Sequence, residues 1–284
     1  MTNGAADTLH HTADSLQLAA KDHSAGNDWI LHHIQDGNYL DFTPFGKIYL
    51  PEIHVMGFDI SITRHVVFMW LAAILLLWVF ISVARSYHRS KAPKGMANLM
   101  EVFIIFIRDE IARASIGKGY ERFVPYLLTA FFFILFGNFL GLIPFSATIT
   151  SNLAVTATLA LFSFLAIQIG GMMKNGIFGY WKGIIPHGIP IALLPIIGVV
   201  EVLGLFIKPI ALAIRLFANM TAGHIVIYAL IGLIFAMKTF AIAPVSVGLA
   251  LFIYLLEVLI AFLQAYIFTM LSAVFIGMAV HQDH

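Results

Sequence analysis

The chain has 284 residues, of which 60% are hydrophobic and only 11% charged, with a formal net charge of +1. Soluble domains carry about 25% charged residues, so the composition excludes an ordinary soluble domain and points to a polytopic membrane protein. The charge balance offers no basic face for nucleic acid, and the absence of Cys removes disulfides and thiolate chemistry.

Residues 1–64 are polar and acidic, with eight Asp or Glu against Lys21, Lys47 and Arg64, and they hold six of the twelve His. They read as a soluble extension, with residues 1–50 outside the membrane domain and 51–284 forming it. The N-terminal stretch has neither the apolar core of a signal peptide nor the Arg-rich, acid-poor character of a transit peptide. The pairs His10-His11 and His32-His33 invite a metal, but no Cys or third ligand stands at site spacing, so the expectation is no metal and a solvated tail.

The first span is predicted over 65–84, an uncharged run with Arg64 and Arg85 at its ends and the length of about 20 residues that a bilayer requires. Residues 85–122 then carry eight Lys or Arg. Within them, 97–117 mixes apolar runs with Glu101, Arg108, Asp109, Glu110 and Arg113, the pattern of a helix lying in the interface. From Phe123 to Met173 there is no Asp, Glu, Lys or Arg. That length suits two spans, 123–146 and 152–173, divided at the polar turn Ser146–Asn152. The Phe-rich run Ala130–Phe139 reads as lipid-facing or packing surface. A linker follows from Lys174 to Gly188.

Two long helical stretches close the chain, 189–237 and 244–280. At 1.5 Å per residue each greatly exceeds the ~30 Å hydrocarbon core. A tilted or bent helical hairpin is therefore expected, with Pro195 and Pro209 as bending points. The fold class is all-α, with about five spans, one interfacial helix and a long C-terminal hairpin. The basic segment 85–122 belongs on the cytoplasmic side by the positive-inside rule. This places the N-terminal extension outside and the C-terminus inside.

Ionisable residues are sparse in the last two helices. Between Lys208 and Lys238, Arg215 is the only Asp, Glu, Lys or Arg. A guanidinium at the centre of a membrane helix costs roughly 2.5–3.5 kcal/mol on insertion scales, so Arg215 is a functional candidate. Helical geometry keeps Glu201, Lys208 and Arg215 within about 40° of one another, in a stripe about 21 Å long. Asn219 adds a polar group to that face, and His224 falls on the opposite one. In the last helix Glu257 and Gln264 share a face. An antiparallel hairpin would let His224 and Glu257 meet, and intramembrane carboxylates and imidazoles commonly mark proton paths. Plainer readings also exist: Lys208 snorkelling beside Pro209, His224 as a packing residue, Glu257 as a structural ion partner. No phosphate-binding loop, HExxH or GxSxG motif is present, so no nucleotide, cofactor or bond chemistry is expected.

The run Glu201…Lys208-Pro209…Arg215-Leu216-Phe217-Ala218-Asn219-Met220-Thr221-Ala222-Gly223-His224 resembles the signature of subunit a of the rotary F-type ATP synthase. Gly137-Asn138-Phe139-Leu140-Gly141-Leu142-Ile143-Pro144 is similar to a second segment of that family, and Glu257 to Phe268 to a third, in the final helix. The resemblance covers about residues 50–284 in order. It implies a non-catalytic stator subunit packed against a ring of c subunits, with b subunits of the peripheral stalk, other ATP synthase subunits and the lipid bilayer as partners. It implies that Arg215 is the essential arginine facing the ring, with Lys208 on the same face. It places Glu201 near the cytoplasmic outlet, His224, Glu257 and Gln264 on the periplasmic uptake path, and Asn219 close to the arginine. One well-known bacterial arrangement has Glu at the position of His224 and His at that of Glu257. The exchange keeps one imidazole and one carboxylate and favours protons over sodium. A bacterial inner membrane is the expected location. The rivals are a secondary proton-coupled transporter, which calls for an internal repeat that the chain lacks, and a structural scaffold, which has no use for a lone intramembrane Arg.

Overall fold

A computed structural model describes residues 37, 39–41, 46–51, 54–55, 58–59, 61–89, 95–143, 146–183, 194–237 and 242–281. His10, His11, His32 and His33 lie outside the described residues, as do Lys238 and the Pro186-His187 part of the linker.

The polar segment before the first span contains two short antiparallel ladders that its composition did not suggest. Strand β1 (Tyr39–Asp41) pairs with β2 (Lys47–Tyr49), and β3 (His54–Val55) with β4 (Phe58–Asp59). Tyr39 stands opposite Tyr49, their ring centroids 6.4 Å apart, and cross-strand aromatic pairs of this kind stabilise small ladders. The segment returns to the first helix through Arg64 N donating to Gly37 O (3.1 Å) and Ile62 N donating to Pro51 O (3.4 Å).

Helix α1 (Arg64–Arg89) is apolar throughout its centre. Helix α2 (Met96–Ile105) runs on through a π-helical turn, Phe106–Arg113, to Ile116. Ile107, Ile111 and Ala112 are buried there, while Arg108, Glu110 and Arg113 are exposed. That division is the amphipathic pattern of an in-plane helix. Arg108 grips Asp109 through two hydrogen bonds, Nε to Oδ1 (2.9 Å) and a terminal nitrogen to Oδ2 (2.8 Å), which hold the Asp109 carboxyl below the usual carboxylate range.

Helix α3 (Val124–Gly141) carries Pro125 in its first turn, where no intrahelical donor is needed. It stops at Gly141, which abuts Thr148: a Cβ there would collide with the Thr148 backbone. Helix α4 (Leu153–Asn175) is capped by Asn152, whose side chain accepts from Ala154 N at 2.9 Å. The expected linker contains a further short helix, α5 (Ile177–Gly183), with Tyr180 buried against Gly171.

Helices α6 (Leu194–Met237, 44 residues) and α7 (Ala243–Val280, 38 residues) are each continuous. At 1.5 Å per residue they measure about 66 and 57 Å. Pro195 is the second described residue of α6, and residues 184–193 ahead of it lie outside the described residues. Pro209 is inside the helix and removes the donor that Leu205 O would otherwise receive. Five helices, α1, α3, α4, α6 and α7, are long and apolar enough to cross a membrane. The protein is an all-α polytopic membrane protein with the two short hairpins ahead of its first span.

The described residues form two compact units. The smaller contains Thr221–Leu255, and the larger Gly37–Met220 with Leu256–His284. The core of the larger unit joins α1, α2, α3 and α4 to the inner faces of α6 and α7. Phe103, Phe131, Phe132 and Phe262 stack in tilted and edge-on pairs with centroids 5.2–6.4 Å apart. The Phe-rich run is thus mainly packing surface: Ala130, Phe131, Phe132, Ile134 and Leu135 are buried, and Phe139 is exposed. Because lipid is as apolar as a buried side chain, helix association depends on close packing and small residues. Gly277 of α7 shows this, since any Cβ there would collide with Ser115 O. The same end of α7 is held by His281 Nε2 against Ile116 O (2.8 Å) and by Asn175 Nδ2 donating to Ala279 O (3.1 Å).

Candidate functional site

The polar stripe of α6 within the larger unit is uneven in its surroundings. Glu201 is half-buried. Lys208 is half-buried too, with Nζ 5.4 Å from the centroid of the Phe275 ring on α7. The ring's negative face favours the ammonium, so Lys208 has a packing partner inside the chain. Arg215 is exposed, as are Ala211, Ala218 and Asn219 beside it on the same face. Among the described residues of this unit, no ion pair engages its guanidinium. A charge on the outer face of a membrane-spanning helix calls for an anionic partner supplied from elsewhere.

One turn beyond Arg215, Asn219 Nδ2 donates to Gln264 Oε1 at 2.9 Å. Asn219 is exposed and Gln264 is 2% exposed. The bond ties α6 to α7 beside the arginine. Glu257 is also 2% exposed, and with Ala261, Gln264, Ala265 and Phe268 it forms the buried face of α7. Their three- and four-residue spacing puts these side chains on one side of the helix.

Asn138 of α3, within the Gly137–Pro144 motif, has a defined place in the core. It is fully buried, accepts from Thr150 Oγ1 at 2.6 Å and reaches Ala261 O at 3.5 Å. Ala261 is one turn after Glu257. The segment Ser146–Asn152 is therefore more than a divider between spans, since it brings buried Thr148 and Thr150 to the polar groups of α3 and α7. A second buried polar pair, Ser163 with Ser272 (2.9 Å), joins α4 to α7. The signal available in the sequence was the cost of placing amides and hydroxyls in an otherwise apolar span. It marks such residues without naming their partners.

His224 lies in the smaller unit. It is half-buried, with its ring centroid 6.5 Å from that of Tyr228, one turn along. In the same unit Ser246 Oγ donates to Leu230 O, linking α6 to α7. No group of three or more His, Cys, Asp or Glu suited to a metal occurs among the described residues.

Arg, Glu and paired amides held within membrane spans commonly mark ion or proton pathways. The family model described as ATP synthase A chain matches residues 66–277, most of the chain. ATP synthase subunit a of Chloroherpeton thalassium is 58% identical over 258 residues, 89% of this chain and 77% of that protein. ATP synthase subunit a 2 of Prosthecochloris aestuarii is 50% identical over 284 residues, 98% of this chain and 87% of that protein. ATP synthase subunit a of Anaeromyxobacter sp. is 45% identical over 298 residues, 97% of this chain and 71% of that protein. The chain belongs to the ATP synthase A chain family. It is a component of the F-type ATP synthase complex, and the transporter alternative is not favoured.

Proposed function

We propose how this chain performs the proton-translocating stator role of its family. Arg215 faces the carboxylates of a ring of c subunits and divides two half-channels. A nearby cation favours the ionised carboxylate and so promotes proton release from each passing ring site. As a fixed positive charge, Arg215 also repels a proton that would cross directly from one half-channel to the other. The observation that carries this reading is the exposed guanidinium on the outer face of a membrane-spanning helix, beside an Asn219–Gln264 bond that ties α6 to α7.

On this reading Glu201 lines the cytoplasmic outlet, and His224, Glu257 and Gln264 serve the uptake path. Lys208 lies on the ring side, its charge steadied by Phe275. The N-terminal extension is periplasmic and the C-terminus cytoplasmic, b subunits of the peripheral stalk hold the stator, and the membrane is a bacterial inner membrane. The chain does no bond chemistry of its own. Each elementary charge crossing the membrane gains roughly 2.3 kcal/mol per 100 mV, and a leak past Arg215 dissipates that work without turning the ring.

The test is Arg215→Ala in the assembled complex, with ATP-driven proton pumping measured in membrane vesicles. Coupled pumping falls to background while complex assembly is retained. Normal coupled pumping in this variant refutes the assignment.

A further inference from the structure

His65 lies outside the family motifs, at the start of the first span. It is the second residue of α1, yet it is only 2% exposed. Its Nε2 lies 3.3 Å from Ser151 Oγ, 86 positions away. Ser151 donates its hydroxyl hydrogen to Thr148 O at 2.7 Å, so the serine oxygen accepts from the ring and the proton sits on Nε2. Burying an imidazole at a helix start is costly unless its polar atoms are engaged, and a leucine would fill this position more cheaply.

What surrounds Ser151 gives the imidazole a direction. The next residue inward, Thr150, donates to Asn138, which in turn reaches Ala261 O, one turn from Glu257 on α7. Polar groups thus run from the N-terminal end of α1, through the 149–151 turn and α3, to the buried face of α7. Thr148, Thr150 and Asn138 are each at most 3% exposed. Ser, Thr and Asn orient water and solvate a passing charge, but they are not acids or bases that relay a proton by themselves. Of the groups in this run, His65 at one end and Glu257 at the other are the imidazole and the carboxyl, the side-chain types that both take up and give up a proton.

We propose that His65 is a proton-transfer group at the outer end of the half-channel that leads to Glu257, passing protons between water on the N-terminal-extension side and the polar run through Ser151, Thr150 and Asn138. In each transfer Nδ1 takes a proton from water on the extension side, Nε2 gives its proton to the Ser151 oxygen, and Ser151 passes its own hydroxyl proton on to water in the polar run as its bond to Thr148 O breaks. The ring ends neutral, and exchange of tautomers resets it. The inference rests on the reading that protons reach the ring by way of Glu257. A merely structural tie between α1 and the 149–151 turn requires only a donor to Ser151.

The experiment compares His65→Gln and His65→Ala in the assembled complex, with ATP-driven proton pumping in vesicles normalised to the amount of complex. Glutamine supplies a donor to Ser151 without exchanging a proton, and alanine leaves room for free imidazole added to the medium. Both variants pump several-fold more slowly than the parent, and imidazole restores a substantial part of the rate in His65→Ala alone. Normal pumping in His65→Gln overturns the proposal, as does a loss in His65→Ala that imidazole leaves unchanged. Arg215→Ala in the same vesicles separates the two levels: if it pumps normally the half-channel reading fails, whereas its loss alongside normal His65 variants refutes the role of His65 alone.

Discussion

The Asn219–Gln264 bond can be tested by a double-mutant cycle, because it joins two helices through one well-defined contact of 2.9 Å. Asn219→Leu leaves Gln264 Oε1 without its donor in a site only 2% exposed, and Gln264→Leu leaves the Asn219 amide unpaired. Interhelical hydrogen bonds in membranes are worth about 0.6 kcal/mol on average and about 1.7 at most. That corresponds to roughly a three-fold to eighteen-fold change in an equilibrium constant. The contact is direct and one partner is buried, so the upper half of that range is expected as the coupling energy between the two substitutions. The double variant should be less destabilised than the sum of the singles by this amount. Reversible denaturation of the purified subunit in mixed micelles measures it, and pumping by reconstituted complexes reports the functional cost separately. A coupling energy indistinguishable from zero means that the bond does not join α6 to α7 as described.

Gly277→Ala forces a methyl group against Ser115 O, and overpacking of this kind costs typically 1–3 kcal/mol. Its complex should show a lower thermal inactivation midpoint, while Met278→Ala, at an exposed position of the same turn, shifts it less. The Arg108–Asp109 pair carries a pH dependence of definite sign. The carboxyl is held below its ordinary range by the guanidinium, so its contribution is present above the unfolded-state value and is lost as pH falls through the lowered one. The pair is solvent-exposed, so the effect is small and screened by salt. Asp109→Asn should reduce the acid sensitivity of the subunit's stability at low ionic strength and have little effect near neutrality, as read from unfolding midpoints across a pH series.

The membrane architecture was legible in the sequence because span length and charge depletion are local properties. Arg215 was legible for the same reason, as one costly charge in an apolar helix. The two hairpins before α1 were not: three-residue ladders such as Tyr39–Asp41 against Lys47–Tyr49 are too short to impose a visible alternation on a polar stretch. Asn138 was visible as a motif letter, but its bonds to Thr150 and Ala261 depend on how α3, the 149–151 turn and α7 approach one another.

Hydropathy and motif spacing are written along the chain, and they were enough for the all-α class with five spans and for the family. Tertiary structure alone decided that Asn219 meets Gln264, that His65 meets Ser151 and that His281 meets Ile116, partners separated by 45, 86 and 165 positions. In a bilayer the apolar face of a helix is equally content against lipid or protein. Which faces meet is therefore set by the fit of small residues, such as Gly141 against Thr148 and Gly277 against Ser115, and by the few hydrogen bonds that packing brings within reach.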